Sequence, residues 1–138
     1  MGPILIPDGH VTVLGVGIDL VDIPRVEKML VRFGDRALGK LLTDAERRYV
    51  SGMAHPARHV AARIAAKEAG YKALQSLPDA RAVGWRDLEV RRDGEGRPTL
   101  VLLGYAGELA IRHGPLQMQL SLTHADVTAG AIAVLLQG

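Results

Sequence analysis

One stretch of helix-compatible residues, between Arg58 and Leu77, constrains the fold of this chain more than any other feature. Its residues are mostly Ala, Leu, Ile, Val, Lys, Arg, Glu and Gln, and Gly70 is the only glycine inside it. This composition predicts one long helix. The helix is expected to end at Leu77-Pro78-Asp79, because proline cannot continue the backbone hydrogen bonds. The rest of the chain must pack around it.

The position of Glu68 suggests that this helix also has a chemical role. Glu68 follows Ile64 by one turn and lies close to Ala61 and Ala65, so its carboxylate projects from an apolar face of small residues. A buried charge needs a partner, because burying it alone is costly. Lys72, one turn later, could form an ordinary i,i+4 ion pair. A functional carboxylate is the alternative, and a second acidic site far away in the sequence favours it.

The composition limits the possible classes of protein. The 138 residues are 48% hydrophobic and 23% charged, which fits one compact domain, and aromatic residues make up only 4%, so Ala, Val and Leu must build the core. The absence of cysteine excludes disulfides, thiolate metal sites and a cysteine nucleophile. No apolar run reaches the length of a membrane span, Met1–His10 lacks the features of a signal peptide, and we expect a cytoplasmic protein. The net charge of +2 suits phosphate-rich or acidic partners but is too small to indicate nucleic-acid binding.

The first predicted strand leads into a glycine-containing motif. Met1–His10 is expected to be an irregular lead-in, and the β-branched alternation of Val11–Ile18 predicts a strand. The glycines of Gly15-Val16-Gly17-Ile18-Asp19 allow close backbone approach, and the segment leaves a carboxylate near the predicted end of the strand. A G-x-G pattern without its third glycine does not indicate dinucleotide binding. Taken alone, Asp19 could equally be a turn or cap residue.

A helix is predicted directly after this strand. Asp22 as N-cap and Pro24 in the first turn predict its start, and it should continue to about Phe33. Its apolar stripe, expected to be buried, consists of Val26, Leu30 and Phe33.

The same helix carries a second stripe, formed by Arg25, Met29 and Arg32. It is either a solvated basic face or a docking surface for an acidic helical partner. A methionine among arginines favours docking, because its flexible side chain adapts to an apolar contact while the charges attract the partner.

The remaining segments complete a single α+β domain, expected over residues 11–138. Thr43-Asp44-Ala45-Glu46 has the pattern of a capping box and predicts a helix to about Val50. The later predicted elements are strands at Trp85–Arg92 and Pro98–Leu103 joined by a turn at residues 93–96, a helix at Gly104–His113, and strands at Gln117–Thr123 and Thr128–Leu136. We therefore expect a small, mostly antiparallel sheet packed against the long helix and shorter helices.

Five segments, in this order, are typical of one enzyme family. They are Gly15-Val16-Gly17-Ile18-Asp19-Leu20-Val21, Thr43–Glu46, Ala62–Lys72, Gly96-Arg97-Pro98 and Ser121-Leu122-Thr123-His124. With them the chain resembles the holo-acyl-carrier-protein synthases, the small single-domain class of 4'-phosphopantetheinyl transferases, from about Val13 to Leu135. The resemblance implies the fold of that class. It also implies transfer of 4'-phosphopantetheine from coenzyme A to a serine of an apo acyl carrier protein, with release of 3',5'-ADP, in fatty acid or polyketide biosynthesis.

The resemblance also implies the roles of residues in this chain. Asp19 and Glu68 would bind Mg²⁺, which prefers oxygen ligands and is often held by one or two carboxylates plus substrate phosphate. Glu68 would also be the base for the serine hydroxyl, and Lys72 would stabilise or protonate the departing phosphate. Arg63 and Lys67, with Lys72, would hold the 3'-phosphate and pyrophosphate of coenzyme A.

Further contacts follow from the same resemblance. Family positions that contact coenzyme A, often from a neighbouring subunit, correspond here to Gly96, Arg97, Pro98, Thr123 and His124. The family is typically a homotrimer with sites between subunits. The implied partner, an acidic acyl carrier protein, would dock on the basic stripe described above.

Two other classes of function stay open at this point. Another magnesium-dependent phosphotransferase would also use paired carboxylates, but the G-x-x-x-x-G-K-S/T phosphate loop does not occur in the sequence. A non-catalytic docking module for an acidic helix would need the basic stripe without needing Asp19 or Glu68.

Overall fold

The computed structural model of the protein describes residues 10–138, and the lead-in expected over residues 1–9 lies outside this range. The strands are β1 (Thr12–Asp22), β2 (Leu88–Arg92), β3 (Pro98–Leu102), β4 (Leu116–His124) and β5 (Thr128–Gln137). The helices are α1 (Ile23–Phe33), α2 (Asp35–Leu41), α3 (Asp44–Ser51), α4 (Pro56–Leu74) and α5 (Gly104–His113), with short 3-10 turns at Ala80–Ala82 and Trp85–Asp87. The architecture is α+β, as predicted.

The long helix α4 packs across the larger of two antiparallel sheets. This sheet has the strand order β1-β5-β4, and β2 and β3 form a separate hairpin. The inward face of α4 is built largely from alanines, and Ala65, Ala66, Ala69 and Ala73 are fully buried. Because these side chains are small, the helix lies close to β1 and β5. The scarcity of aromatic residues therefore suits a tightly packed helix–sheet interface.

Strand β1 is longer than the sequence predicted, and this changes the setting of Asp19. The strand continues past Ile18 because pairing with β5 is kept from Asp19, opposite Ala131, to Asp22, opposite Thr128. Asp19 is therefore an internal strand residue, and its interpretation as a turn or cap residue is wrong.

The prediction for α1 is confirmed in its extent but not in all its details. Val26 is buried and Leu30 half-buried, whereas Phe33 is 45% exposed, so the predicted buried stripe does not extend to the end of the helix. The reason is that Gly34 ends α1 and the chain turns at once into α2, which the sequence analysis did not identify. Asp22 occupies the N-cap position without a side-chain capping hydrogen bond.

Other boundaries differ by small amounts. The capping box is confirmed, since the Glu46 backbone N–H donates to Thr43 Oγ1 over 3.3 Å and the Thr43 N–H donates to Glu46 Oε1 over 2.9 Å. Helix α4 ends at Leu74, before the predicted end at Leu77, and Trp85 starts a 3-10 turn rather than a strand. Between residues 10 and 138, no helix is long and apolar enough to span a membrane.

Candidate active site

Two glycines bring β1 against the backbone of α4. A Cβ atom added to Gly15 would lie 2.0 Å from the Ala73 carbonyl oxygen, and one added to Gly17 would lie 1.9 Å from that of Ala69. Only glycine fits at either position, because an unbonded Cβ and carbonyl oxygen never approach so closely. The next inward residue of the strand after Gly17, Asp19, is thereby placed beside the face of α4 that carries Glu68 and Lys72.

Lys72 connects the strand to the helix. Its ammonium donates to Asp19 Oδ1 and to the Ile18 carbonyl oxygen, both over 3.0 Å. The ion pair of Lys72 is thus made with a residue 53 positions away in sequence and not with Glu68. The simple i,i+4 pair that the sequence allowed is replaced by a constellation of Asp19, Glu68 and Lys72.

The two carboxyl groups of this constellation crowd each other. Burial raises the pKa of Glu68 from 4.5 to about 7, and the neighbouring Asp19 carboxyl group raises it further. Lys72 and Arg25 oppose the shift. Asp19 Oδ2 is buried and has no hydrogen-bond partner. A site with a crowded carboxylate pair and an orphaned oxygen has the donor chemistry to hold a divalent cation.

An open, mostly apolar pocket of about 460 Å³ adjoins these groups. Glu68 and Lys72 form part of one side, and the aromatic and aliphatic part of the lining comes from Tyr71, Val83, Trp85 and Leu88. It has room for a flexible, weakly polar chain next to the reactive carboxylate.

Lys67, for which the resemblance implied a contact with coenzyme A, lies in a buried network within the protein. Its side chain is 1% exposed, and its ammonium contacts Glu46 Oε1 at 2.5 Å, the Leu41 carbonyl oxygen at 2.8 Å and the Trp85 carbonyl oxygen at 2.9 Å. Three acceptors use all three N–H donors of the ammonium, so none is left for a phosphate. Burial lowers the pKa of Lys67, which the Glu46 carboxylate opposes. The contact between Lys67 and coenzyme A stays a prediction, and these three bonds argue against it.

Arg63 belongs to a cluster of basic residues that the sequence analysis recognised only in part. Its guanidinium stacks on the ring of Tyr49 at 4.2 Å, and Nη1 donates to the His59 carbonyl oxygen over 3.3 Å. The residue is buried, yet its Nε has no partner. Burial, followed by the charges of Arg63, Arg58, Arg92 and His124, lowers the pKa of His59. These groups therefore concentrate positive charge in one region.

This basic region also includes the hairpin turn. The Arg92 guanidinium donates to the Gly96 carbonyl oxygen over 2.9 Å, and Asp93 accepts hydrogen bonds from the backbone N–H groups of Glu95 and Arg97. Arg97 itself points to Glu95, with which it makes an exposed ion pair at 2.9 Å. Pro98 begins β3 directly after this turn, and Thr123 and His124 are exposed at the end of β4.

The sequence analysis missed three members of this region, namely Arg58, His59 and Arg92. The sequence did contain a signal for His59: it lies four residues before Arg63 on the predicted long helix, so the two side chains share one face. Arg92 carried no comparable signal, because only the tertiary fold brings the hairpin near the helix.

The predicted docking stripe lies beside a groove of about 410 Å³. Met29 and Phe33 provide its apolar contacts on α1, Arg36 and Lys40 contribute basic side chains from α2, and Trp85 closes one side. Arg25 and Arg32 are exposed, and Arg32 lies 5.1 Å from the centre of the Phe33 ring. The charge of Arg25 also acts on Glu68, so the stripe begins close to the carboxylate pair.

Comparison with known proteins places this geometry in a family. Residues 15–132 match the model of the 4'-phosphopantetheinyl transferase superfamily. A holo-acyl-carrier-protein synthase of Koribacter versatilis is 42% identical over 123 residues, which cover 89% of this chain and 98% of that protein.

Solved structures agree with this placement. The acyl carrier protein synthase of Mycobacterium tuberculosis is 39% identical and superposes with a TM-score of 0.70, covering 90% of this chain and 97% of that one. The holo-acyl-carrier-protein synthase of Bacillus anthracis, solved in complex with coenzyme A (3',5'-ADP), is 32% identical with a TM-score of 0.73 and covers 91% and 98% of the two chains. The chain therefore belongs to the 4'-phosphopantetheinyl transferase superfamily, as an enzyme of the holo-acyl-carrier-protein synthase type.

Proposed function

We propose that this enzyme transfers 4'-phosphopantetheine from coenzyme A to a serine hydroxyl of an apo acyl carrier protein, with Mg²⁺ bound, and releases 3',5'-ADP. The observation that carries the proposal is the constellation of Asp19, Glu68 and Lys72, in which a carboxyl group of pKa about 7 lies beside a second carboxylate and an ammonium. The names of the relatives support the substrates, since they are holo-acyl-carrier-protein synthases and one was solved with coenzyme A.

The cation site would consist of Asp19 and Glu68. No group of three or more His, Cys, Asp and Glu side chains suited to a metal occurs within residues 10–138, so the protein offers only a few ligands there. Mg²⁺ fits this donor set, because it commonly keeps several waters and shares substrate phosphate oxygens with one or two carboxylates. When bound, the cation would neutralise negative charge on the pyrophosphate.

The protein groups divide the proton transfers between them. Glu68, with a pKa near neutrality, accepts the proton of the serine hydroxyl, directly or through a water. The serine oxygen forms a bond to the phosphorus that carries pantetheine, and the bond from this phosphorus to the bridging pyrophosphate oxygen breaks. Lys72 stabilises or protonates that leaving oxygen on 3',5'-ADP. The reaction depends mainly on alignment and charge, which a rigid strand–helix pair provides.

The phosphates of coenzyme A would bind in the basic region. Arg63, with its unpartnered buried Nε, and His124 lie there with the three residues that the sequence analysis missed. The remaining contacts implied by the resemblance would come from the hairpin, with Gly96, Arg97 and Pro98, and from β4, with Thr123. Lys72 would contact the pyrophosphate from the side of the carboxylate pair.

The acyl carrier protein would dock on α1, where Arg25 and Arg32 supply charge and Met29 supplies an apolar contact beside the groove. The groove extends this surface to α2. Charges of this kind steer an acidic partner and act mainly on the association rate.

The outer face of the larger sheet would form the contact between subunits of a homotrimer. Side chains of β1 that point away from α4 are apolar and exposed, with Val16 at 57%, Ile18 at 64% and Leu20 at 70%, and Ile132 lies opposite Ile18 on β5. A continuous apolar sheet face of this kind is typical of an interaction surface. A monomer in light scattering with the size of a single 138-residue chain would contradict the trimer.

The proposed reaction is tested by incubating the enzyme with an apo acyl carrier protein, coenzyme A and Mg²⁺, and measuring the carrier by intact-mass spectrometry. We expect the carrier to gain one phosphopantetheine on its serine and to remain unmodified when Mg²⁺ is chelated. The control is a carrier in which that serine is alanine. Binding of the carrier without any gain in mass would indicate a docking module instead.

A further inference from the structure

Lys67 lies immediately before Glu68 in α4, but its side chain holds three separate parts of the fold together. The ammonium contacts the carboxylate of Glu46 on α3, the last carbonyl of α2 at Leu41 and the carbonyl of Trp85 in the 3-10 turn. Two of the three acceptors are backbone atoms of segments that do not otherwise share hydrogen bonds with α4 in the described part of the chain.

Glu46 is equally constrained. Its Oε1 accepts the Thr43 N–H of the capping box at 2.9 Å, and its Oε2 accepts the Val90 N–H of β2 at 2.8 Å. Both side chains of the Glu46–Lys67 pair are 1% exposed. A buried ion pair with these bonds is weak evidence for stability, because desolvation offsets much of the attraction, but it fixes geometry.

The segment held by this pair is the wall between two cavities. Trp85 lines the 460 Å³ pocket that contains Glu68 and Lys72, and it also lines the 410 Å³ groove that contains Met29. Leu41, whose carbonyl accepts from the same ammonium, lines that groove too. One buried ammonium therefore bonds to the backbone of two residues that line these cavities.

We propose that Lys67 is a positioning residue. Together with Glu46 it holds the 3-10 turn that begins at Trp85, called here the Trp85 segment, so that the groove beside Met29 and the pocket beside Glu68 keep a common, rigid wall. This inference rests on the proposed transfer reaction. In this role Lys67, which precedes the proposed base Glu68, helps to align the carrier serine with the pantetheine arm. Its ammonium makes no contact with the phosphates. Misplacement of a reacting group by about 1 Å can reduce a rate about a hundredfold.

The test uses the double variant Glu46→Gln with Lys67→Met, in which neither member of the pair leaves the other as an unpaired buried charge. Trp85 is the only tryptophan of the chain, so intrinsic fluorescence reports on the wall itself. We expect the double variant to fold, to show a red-shifted and more easily quenched Trp85 emission, and to lose about tenfold or more in kcat. The Kd of coenzyme A should stay within about twofold of the wild type, because an ammonium that does not contact the phosphates contributes little to it.

The matched control is Met118→Ala, which truncates a buried side chain of β4 that takes no part in the hydrogen bonds of the Glu46–Lys67 pair. It should lower thermal stability but leave kcat and the Trp85 emission unchanged. Glu46→Gln alone is the second variant: its amide oxygen can still accept from Lys67, but the buried ammonium loses its counter-charge, so kcat and fluorescence should change in the same direction.

Three results would overturn the proposal. A loss of coenzyme A affinity of about tenfold or more with unchanged Trp85 emission would make Lys67 a phosphate ligand. Unchanged kcat and fluorescence, or failure of both variants to fold, would assign the pair to stability alone. If the wild type itself transfers no phosphopantetheine, the proposed function fails, while the Trp85 emission of the variants still tests whether the pair holds the wall.

Discussion

Replacing Gly17 by alanine tests whether the close approach of β1 to α4 creates the active site. The added Cβ would lie 1.9 Å from the Ala69 carbonyl oxygen, which falls short of an ordinary contact of 3.4 Å by about 1.5 Å. The obstacle is the backbone of a helix and not the end of a flexible side chain, so the strand itself must move. Asp19, two residues later, would then move away from Glu68 and Lys72.

The size of the effect follows from two opposing terms. Overpacking typically costs about 1–3 kcal/mol, whereas alanine gains about 0.4–1 kcal/mol by restricting the unfolded chain. With a backbone obstacle we expect a net loss of about 2 kcal/mol, which lowers the Tm by roughly 6–8 °C for a domain of this size. Because a displacement of about 1 Å can cost about a hundredfold in rate, transfer should fall by about that factor.

Thermal melts and steady-state transfer rates measure both effects. Gly52→Ala is the matched control, because its Cβ would meet nothing closer than the Tyr49 carbonyl oxygen at 3.8 Å. It should keep the wild-type rate. A Gly17→Ala variant with wild-type Tm and rate would refute the argument that this glycine determines the strand–helix distance.

Four other predictions follow from the site. Asp19→Ala and Glu68→Ala should each abolish transfer, and each should remove the increase in Tm that Mg²⁺ gives the wild type. Near-normal turnover of either variant at saturating Mg²⁺ would contradict the metal assignment. Lys72→Ala should lower kcat by about a hundredfold to ten-thousandfold and weaken coenzyme A binding less. Steady-state kinetics measure the first effect and calorimetry the second. A change in KM alone would make Lys72 a ground-state phosphate ligand. Arg25→Glu combined with Arg32→Glu should weaken carrier binding most at low salt and leave the affinity for coenzyme A intact. If the variant and the wild type bound the carrier equally well at low salt, these arginines would belong to a solvated face and not to a docking surface. Since the pKa of Glu68 is raised from 4.5 to about 7, the metal-free protein should lose stability as the pH rises from the lower to the higher of these values. Denaturant titrations of the wild type and of Glu68→Gln at several pH values measure this loss. If the stability of both proteins depended on pH in the same way, the shift in pKa would be contradicted.

The sequence was most informative where local physics decides the structure. The capping box of α3, the turn of the hairpin and the bounds of α5 depend on residues close together in the chain, and they lie where predicted. The glycines of β1 also carried a correct signal, because a missing side chain has a simple consequence where a strand meets a helix of alanines.

Tertiary context determined the features that the sequence did not reveal. Periodicity placed Lys67 on the same helix as Glu68, but nothing local indicated that Glu46 and two distant carbonyl groups would enclose its ammonium. The exposure of Phe33 likewise depends on the turn into α2. The partner of Lys72 could not be read from helical spacing, since Asp19 reaches it from another element.

The most direct test of the central claim is anomalous diffraction from crystals grown with Mn²⁺ and coenzyme A, because Mn²⁺ substitutes for Mg²⁺ at sites with oxygen ligands. We expect one strong anomalous peak within bonding distance of Asp19 Oδ2 and of the Glu68 carboxylate, next to the pyrophosphate. Coenzyme A bound with no peak at this pair, or a peak held by other side chains, would contradict the assignment of Asp19 and Glu68 as the cation site.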